Sequence, residues 1–169
     1  MDRVYLETKL DASEDGSIEG LAWPYAAGDR VGDWIQKGAF TGASLPMPML
    51  FAHDQKEPVG VWETSDDRDD GLHLKGRLLV SDVARAREVR ALVQAGAVRG
   101  ISIGFRTKKY APRRGGGRTI SSLELLEASL VTIPMHPGAK VTSAKSAVRA
   151  LTLAAAINRA TAQLSKRQA

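Results

Sequence analysis

The sequence predicts a mainly β domain with helices (α+β), built from about seven short strands. Three observations carry this. The runs 17–25, 58–64, 71–80, 98–110 and 119–133 read as strands, and turn-forming Gly, Asp and Pro separate them. One internal stretch, from Val83 to Val93, repeats its apolar residues at helical spacing instead. Strand following strand, with one helix between them, fits a closed or nearly closed barrel better than an open parallel sheet.

Residues 4–10 read as a first strand, followed by the turn-like Asp11-Ala12-Ser13-Glu14-Asp15-Gly16. Residues 17–25 form a second strand that ends near Trp23-Pro24. Residues 26–48 are rich in glycine and lack a clear period, so a long loop is expected there, with a short helix around Lys37-Gly38-Ala39-Phe40. Met49-Leu50-Phe51-Ala52 is a short apolar run leading into His53. Residues 58–64 and 71–80 predict paired strands joined by the acidic turn Asp66-Asp67-Arg68-Asp69-Asp70-Gly71. Ser81 or Asp82 is placed to cap the helix, Val83, Ala86, Val89, Leu92 and Val93 supply its apolar face, and Gly96 stops it. Residues 98–110 return to strand, Arg113-Arg114-Gly115-Gly116-Gly117-Arg118 reads as a flexible basic loop, and 119–133 is the last long strand, ended by Pro134.

The tail differs. Ala150, Leu153, Ile157, Ala160 and Leu164 recur at alternating spacings of three and four, which predicts an amphipathic helix over 146–166. The organisation expected is a core domain over 1–142 and a basic helical tail over 143–169. The net charge of +5 belongs to that tail, because Lys145, Arg149, Arg159, Lys166 and Arg167 stand there without an acid and the rest is formally neutral.

Composition excludes several chemistries. No apolar run approaches the roughly 20 residues needed to span a bilayer, and the first residues lack a signal-peptide apolar region, so no membrane association and a cytosolic setting are expected. With no cysteine, disulfides, thiolate zinc sites and cysteine nucleophiles are out. Only His53, His73 and His136 are available as imidazoles, which argues against a histidine-rich metal site.

Gly100-Ile101-Ser102-Ile103-Gly104 carries the chemistry. Its Gly-x-Ser-x-Gly spacing suggests a nucleophile elbow, but that motif needs a helix after the serine and a triad in the order serine, acid, histidine. Phe105-Arg106-Thr107-Lys108-Lys109-Tyr110 continues as strand, and the only later histidine is His136, in Pro134-Met135-His136-Pro137. A different order remains: His53, then Ser102, then an acid near Glu127. A serine hydroxyl becomes a nucleophile when an imidazole takes its proton, and the imidazole needs a partner on its far nitrogen. The flanking glycines would allow a substrate backbone to approach Ser102 closely. Plainer readings stand beside this one. Ser102 and Ser129 could be small residues in packed strands, Asp54 a turn residue or an aid to His53, and His73 and Glu124 solvent-facing positions. Trp23, Trp34 and Trp62 read as core or interface residues, and the loop 113–118 as solvated rather than bound to nucleic acid.

Three segments resemble the signatures of the HK97-type prohead (capsid maturation) proteases of tailed phages, over roughly residues 3–142. The first is Gly38-Ala39-Phe40 with Pro48-Met49-Leu50-Phe51-Ala52-His53-Asp54 and Pro58-Val59-Gly60. The second is Gly100-Ile101-Ser102-Ile103-Gly104-Phe105. The third is Leu126-Glu127-Ala128-Ser129-Leu130-Val131-Thr132-Ile133-Pro134, followed by Pro137 and Ala139. Met135-His136 departs from the Ala-Asn more usual in that family. The resemblance implies a herpesvirus-protease-like β-barrel ringed by helices. It implies a serine endopeptidase that trims the major capsid protein's scaffold segment, and itself, inside the immature capsid in the host cytoplasm, with no metal or organic cofactor. By motif position Ser102 is the nucleophile, His53 the general base and Glu127 the orienting acid, with His136 as the alternative for the third role. A homodimer or higher assembly is also implied. The competing expectation is a catalytically silent assembly or scaffolding protein whose basic tail binds a partner.

Overall fold

The computed structural model describes residues 15–142. Among them eight strands and one helix follow in the order β1 (Ser17–Pro24), β2 (Asp33–Ile35), β3 (Met47–Phe51), β4 (Asp54–Arg68), β5 (Gly71–Leu78), α1 (Ala84–Gln94), β6 (Gly100–Pro112), β7 (Arg118–Val131) and β8 (Lys140–Val141). The mainly β architecture with one internal helix is the one expected. The strand expected over 4–10 and the tail helix over 146–166 lie outside the described residues.

All eight strands join one sheet, in the order β2-β7-β3-β4-β5-β1-β8, with β6 on the other side of β7. β6 and β7 form one long antiparallel hairpin, whereas β3 runs parallel to β7 through Met49–Ala128, Leu50–Ser129 and Phe51–Leu130. The sheet curls into a half-barrel. β8 pairs with Gly20 and Leu21 of β1, and the Val141 N–H donates to the Arg99 carbonyl at 3.1 Å, which brings β8 beside the start of β6. The concave face closes on Ile18, Trp23, Met49, Trp62, Leu74, Ile101 and Leu130. Trp62 is fully buried, and its indole N–H finds the Ala128 carbonyl at 2.9 Å, tying β4 to β7 across the core.

The helix departs from expectation at its start. Val83, not Ser81 or Asp82, is the N-cap, with no side-chain cap bond. The chain is held there by backbone bonds, with Val83 N–H donating to the Leu79 carbonyl at 2.9 Å. The stop is as expected: Gly96, at φ 76°, allows its own N–H to reach Val93 and that of Ala97 to reach Leu92, the paired closure of a helix end. Ala86, Val89 and Val93 are the buried face.

The segment 26–48 differs most. No helix forms at Lys37-Gly38-Ala39-Phe40. Gly38 and Gly42 sit at φ 86° and 96°, which breaks a helical path, and the chain makes successive turns instead (Ala39 N–H to Gln36, Thr41 N–H to Gly38). Within the expected loop lies the three-residue β2, whose pattern is too short to show a period. It pairs parallel to the start of β7, where the buried Asp33 carboxylate receives both the Nε and Nη2 of Arg118 (2.9 and 2.5 Å). The acidic turn is also tighter than expected. Only Asp69 and Asp70 lie between β4 and β5, while Asp66 and Asp67 are strand residues. Asp67 accepts the Tyr25 hydroxyl, and burial together with that carboxylate pushes the phenol's ionisation up.

Loop 113–118 is a closed turn, with Arg113 N–H donating to Gly117 and Gly116 N–H to Arg113. Arg113 stacks its guanidinium 4.5 Å from the ring centre of Trp34, which is only half-buried and belongs to the outer surface, unlike Trp23 and Trp62. Replacing Trp62 by Phe is expected to lower unfolding stability by about 1–3 kcal/mol, through a lost buried hydrogen bond and lost volume. Urea denaturation with an unchanged slope would check this.

Candidate active site

The site begins with a turn. β3 and β4 are joined at Phe51 and Asp54 by the two residues Ala52 and His53. Both are in the left-handed region, at φ 53° and 62°. A two-residue hairpin favours this geometry, but the residues that adopt it freely are Gly and Asn. Each non-glycine residue there costs about 1–3 kcal/mol and persists only where its surroundings hold it. Here β7 holds it: Ala52 N–H donates to the Leu130 carbonyl at 3.1 Å, and His53 N–H donates to Ser129 Oγ at 3.1 Å. From the other side Arg85 of α1 lies 4.7 Å from the Phe51 ring centre and pairs with Glu57 at 3.0 Å.

The turn leaves the His53 side chain 45% exposed, with Nδ1 2.7 Å from Glu127 Oε1. A carboxylate only accepts, so the proton sits on Nδ1 and Nε2 is left as the basic nitrogen. Glu127 is 15% exposed, and its second oxygen accepts the Ser129 hydroxyl at 2.7 Å. Ser129, fully buried, thus has a role the sequence reading missed when it took the residue as a small packed one. The available signal was its position two residues after Glu127, which puts both on one face of a strand.

A bulge sets that face. Gly104 pairs with Glu127 but Phe105 pairs with Leu125, so Leu126 is the extra residue on β7. Before it Leu123 and Leu125 face the core, and after it Ala128 and Leu130 do. Glu127 and Ser129 are turned outward, onto the side of Ser102, and Leu126 is left half exposed.

Ser102 pairs directly with Ser129 across β6 and β7, where facing Cβ atoms stand about 5 Å apart. It is 5% exposed, and its hydroxyl makes no hydrogen bond among the described residues. The glycines beside it have a different use from the one expected. A Cβ on Gly104 would lie 2.3 Å from Glu127 Oε1, and one on Gly100 would lie 2.6 Å from the Pro134 ring. The space is filled by the chain's own groups: Gly104 makes room for the carboxylate.

Of the predicted residues, His53 and Glu127 are in direct contact, and Ser102 stands one pairing position away across β7. His136 does not touch the His53–Glu127 pair, but with Trp23, Met135 and Ser102 it lines a small cavity. It is buried edge-on against Trp23, its Nε2–H donates to the Ala27 carbonyl at 3.0 Å and its Nδ1 accepts Gly138 N–H at 3.1 Å. Both nitrogens are occupied and neither reaches His53. Asp54 opens β4 just after the turn, and its Oδ1 accepts Lys56 N–H at 2.8 Å. Glu124 pairs with Arg106, which holds its carboxyl below the usual range. His73 is less open than expected, with its Nε2 2.9 Å from Asp70. No three His, Asp or Glu side chains converge as metal ligands among the described residues, and none of their helices is long and apolar enough to cross a membrane.

The turn and the glycine give two tests. Ala52→Gly removes left-handed strain while keeping the backbone N–H that the Leu130 carbonyl accepts, and is expected to raise stability by up to about 1 kcal/mol in thermal or urea melts. Gly104→Ala is expected to displace Glu127 and abolish the His53–Glu127 bond, seen as loss of the low-field imidazole N–H proton in NMR spectra.

Comparison with known proteins gives these findings. A sequence profile of the family described as caudovirus prohead serine protease matches residues 5–152. The chain is 33% identical over 148 residues to a capsid polyprotein of Pseudomonas phage PAJU2, covering 83% of this chain and 22% of that protein. It is 31% identical over 153 residues to the prohead protease of Enterobacteria phage HK97, covering 83% of this chain and 66% of that one. It therefore spans less than two thirds of the length of either relative. The solved structure of the bacteriophage T4 capsid assembly protease superposes with a TM-score of 0.53 at 16% identity, over 69% of this chain and 81% of that one, a likeness of fold.

Proposed function

The chain belongs to the caudovirus prohead serine protease family, and from that premise we propose that it is a serine endopeptidase of capsid maturation, with Ser102 as nucleophile, His53 as general base and Glu127 as the acid that orients His53. The observation that carries the reading is the 2.7 Å contact between His53 Nδ1 and Glu127 beside the pairing position of Ser102. Ser102 Oγ attacks the scissile carbonyl carbon as its proton passes to His53 Nε2. The imidazolium formed is stabilised by Glu127, then gives the proton to the leaving amine as the peptide bond breaks. Water, deprotonated by the same nitrogen, releases the acyl group from Ser102. Ser102 makes no hydrogen bond to His53 in the unliganded structure, and in this reading the serine–imidazole bond forms when substrate seats.

The substrate in this reading is the capsid protein's scaffold segment and the protease itself, cut inside the immature capsid. The match to part of a capsid polyprotein supports this, because a protease joined to its substrate must cut its own chain to separate them. The herpesvirus-protease-like barrel belongs to the same proposal, supported by the curled sheet and by the likeness to the T4 protease.

Ser102→Ala is expected to abolish processing of co-expressed capsid protein, read by mass spectrometry, with folding intact; full processing by that variant would sink the proposal. His53→Ala should match it, each losing on the order of 10⁶-fold, because such groups act as a unit. Glu127→Gln should be milder, roughly 10²- to 10⁴-fold. A serine-directed phosphonate should label Ser102 alone, as mapped by peptide sequencing.

A further inference from the structure

We propose that Ser129 is a positioning residue for the imidazole, joining the backbone amide of His53 to the carboxylate that holds the ring of the same residue. The inference rests on the hydrolase reading above and adds to it the group that makes Glu127 effective.

The argument starts from proton counting. A serine hydroxyl has one proton to donate. That of Ser129 goes to Glu127 Oε2 at 2.7 Å, so toward His53 N–H, 3.1 Å away, the oxygen is an acceptor. Glu127 Oε1 in turn accepts His53 Nδ1–H at 2.7 Å. The result is a closed ring of three hydrogen bonds that leaves His53 through its amide and returns through its imidazole. Both oxygens of the carboxylate are used, so it cannot rotate about its own bond without losing one partner. Both ends of His53 are held, so the side chain cannot swing without breaking the ring.

The other ways of holding His53 are weaker. Its backbone is at φ 62°, a conformation that does not sustain itself, and its side chain is 45% exposed, so packing alone does not hold it. Ser129 is fully buried in the middle strand of β3-β7-β6 and pairs with Leu50 on one side and Ser102 on the other. One hydroxyl therefore senses the turn that carries the base and stands against the position that carries the nucleophile. Alanine there would keep the strand and remove the acceptor for the turn and the second donor to the carboxylate together. Charge-assisted bonds of this kind are the stronger ones, and a buried group that loses its partner bears the desolvation cost in full.

The test uses Ser129→Ala and Ser129→Thr, the second keeping the hydroxyl. With a peptide spanning a processing site mapped in the capsid protein, Ser129→Ala should lose kcat about 10- to 100-fold with KM little changed, and Ser129→Thr should recover most of it. In a Ser102→Ala background, Ser129→Ala should also lose the low-field His53 N–H proton in NMR spectra. An unchanged kcat, a loss carried in KM, or a retained low-field proton overturns the inference. Should Ser129→Ala fail to fold, hydrogen exchange of the His53 amide in the Ser102→Ala protein decides. Protection supports the inference, and exchange at the rate of an open turn overturns it. The two readings fail separately: full processing by Ser102→Ala would remove the hydrolase, while the NMR and exchange results would still report whether Ser129 holds His53.

Discussion

The clamp of the Ala52–His53 turn onto β7 is the constraint on which the rest of the site depends. Two successive non-glycine residues with positive φ would relax to another conformation in an isolated hairpin. They stay because the Leu130 carbonyl and the Ser129 hydroxyl accept their amide protons, and both acceptors belong to one strand. The turn is therefore held by the pairing of β3 with β7 in its parallel register, a contact between segments distant in the chain. The local strain and the long-range pairing are two sides of one arrangement, in which core formation sets the direction of a surface imidazole.

The second dependence is the bulge at Leu126. With regular alternation after Leu123 and Leu125, Glu127 and Ser129 would point into the core, where an unpaired carboxylate is prohibitively costly. One extra residue reverses the parity and sends Ala128 and Leu130 inward instead. Gly104 completes the arrangement from β6, since any side chain there would occupy the place of the Glu127 oxygen. A bulge on one strand and a missing side chain on its neighbour together shape a shallow polar site on the outside of an apolar sheet.

The core makes such a site affordable in stability. Trp62 joins β4 to the Ala128 carbonyl directly between Glu127 and Ser129, so the stretch of β7 bearing the polar pair is anchored from the opposite face. Arg85 does the equivalent for Phe51, immediately before the turn, through its ring contact and its pairing with Glu57. Rigid elements thus hold each end of the His53–Glu127 contact.

Much of this was legible in the sequence. Strand-forming runs between turn residues marked β1, β5, β6 and β7 closely and only the middle of β4, helical spacing marked α1, and Gly96 marked its end, because these signals are local and repeat over several residues. Excluding the elbow, since Phe105 to Tyr110 continues as strand, left His53 and Ser102 with an acid near Glu127, and the resemblance of the motifs singled out Glu127 itself. The adjacent leucines 125 and 126 carried the parity break, visible only once the strand is known to continue through them. What only the tertiary structure decided were the features made by pairing between distant segments. These are the three-residue β2 held by Asp33 and Arg118, the N-cap at Val83, the retirement of His136 into the core beside Trp23, and the use of Gly104 as room for a carboxylate. Ser129 belongs with them. A serine in an apolar strand looks the same whether its hydroxyl is idle or bonded, and its partners here, Glu127 and the strained amide of His53, converge only when β3 lies against β7.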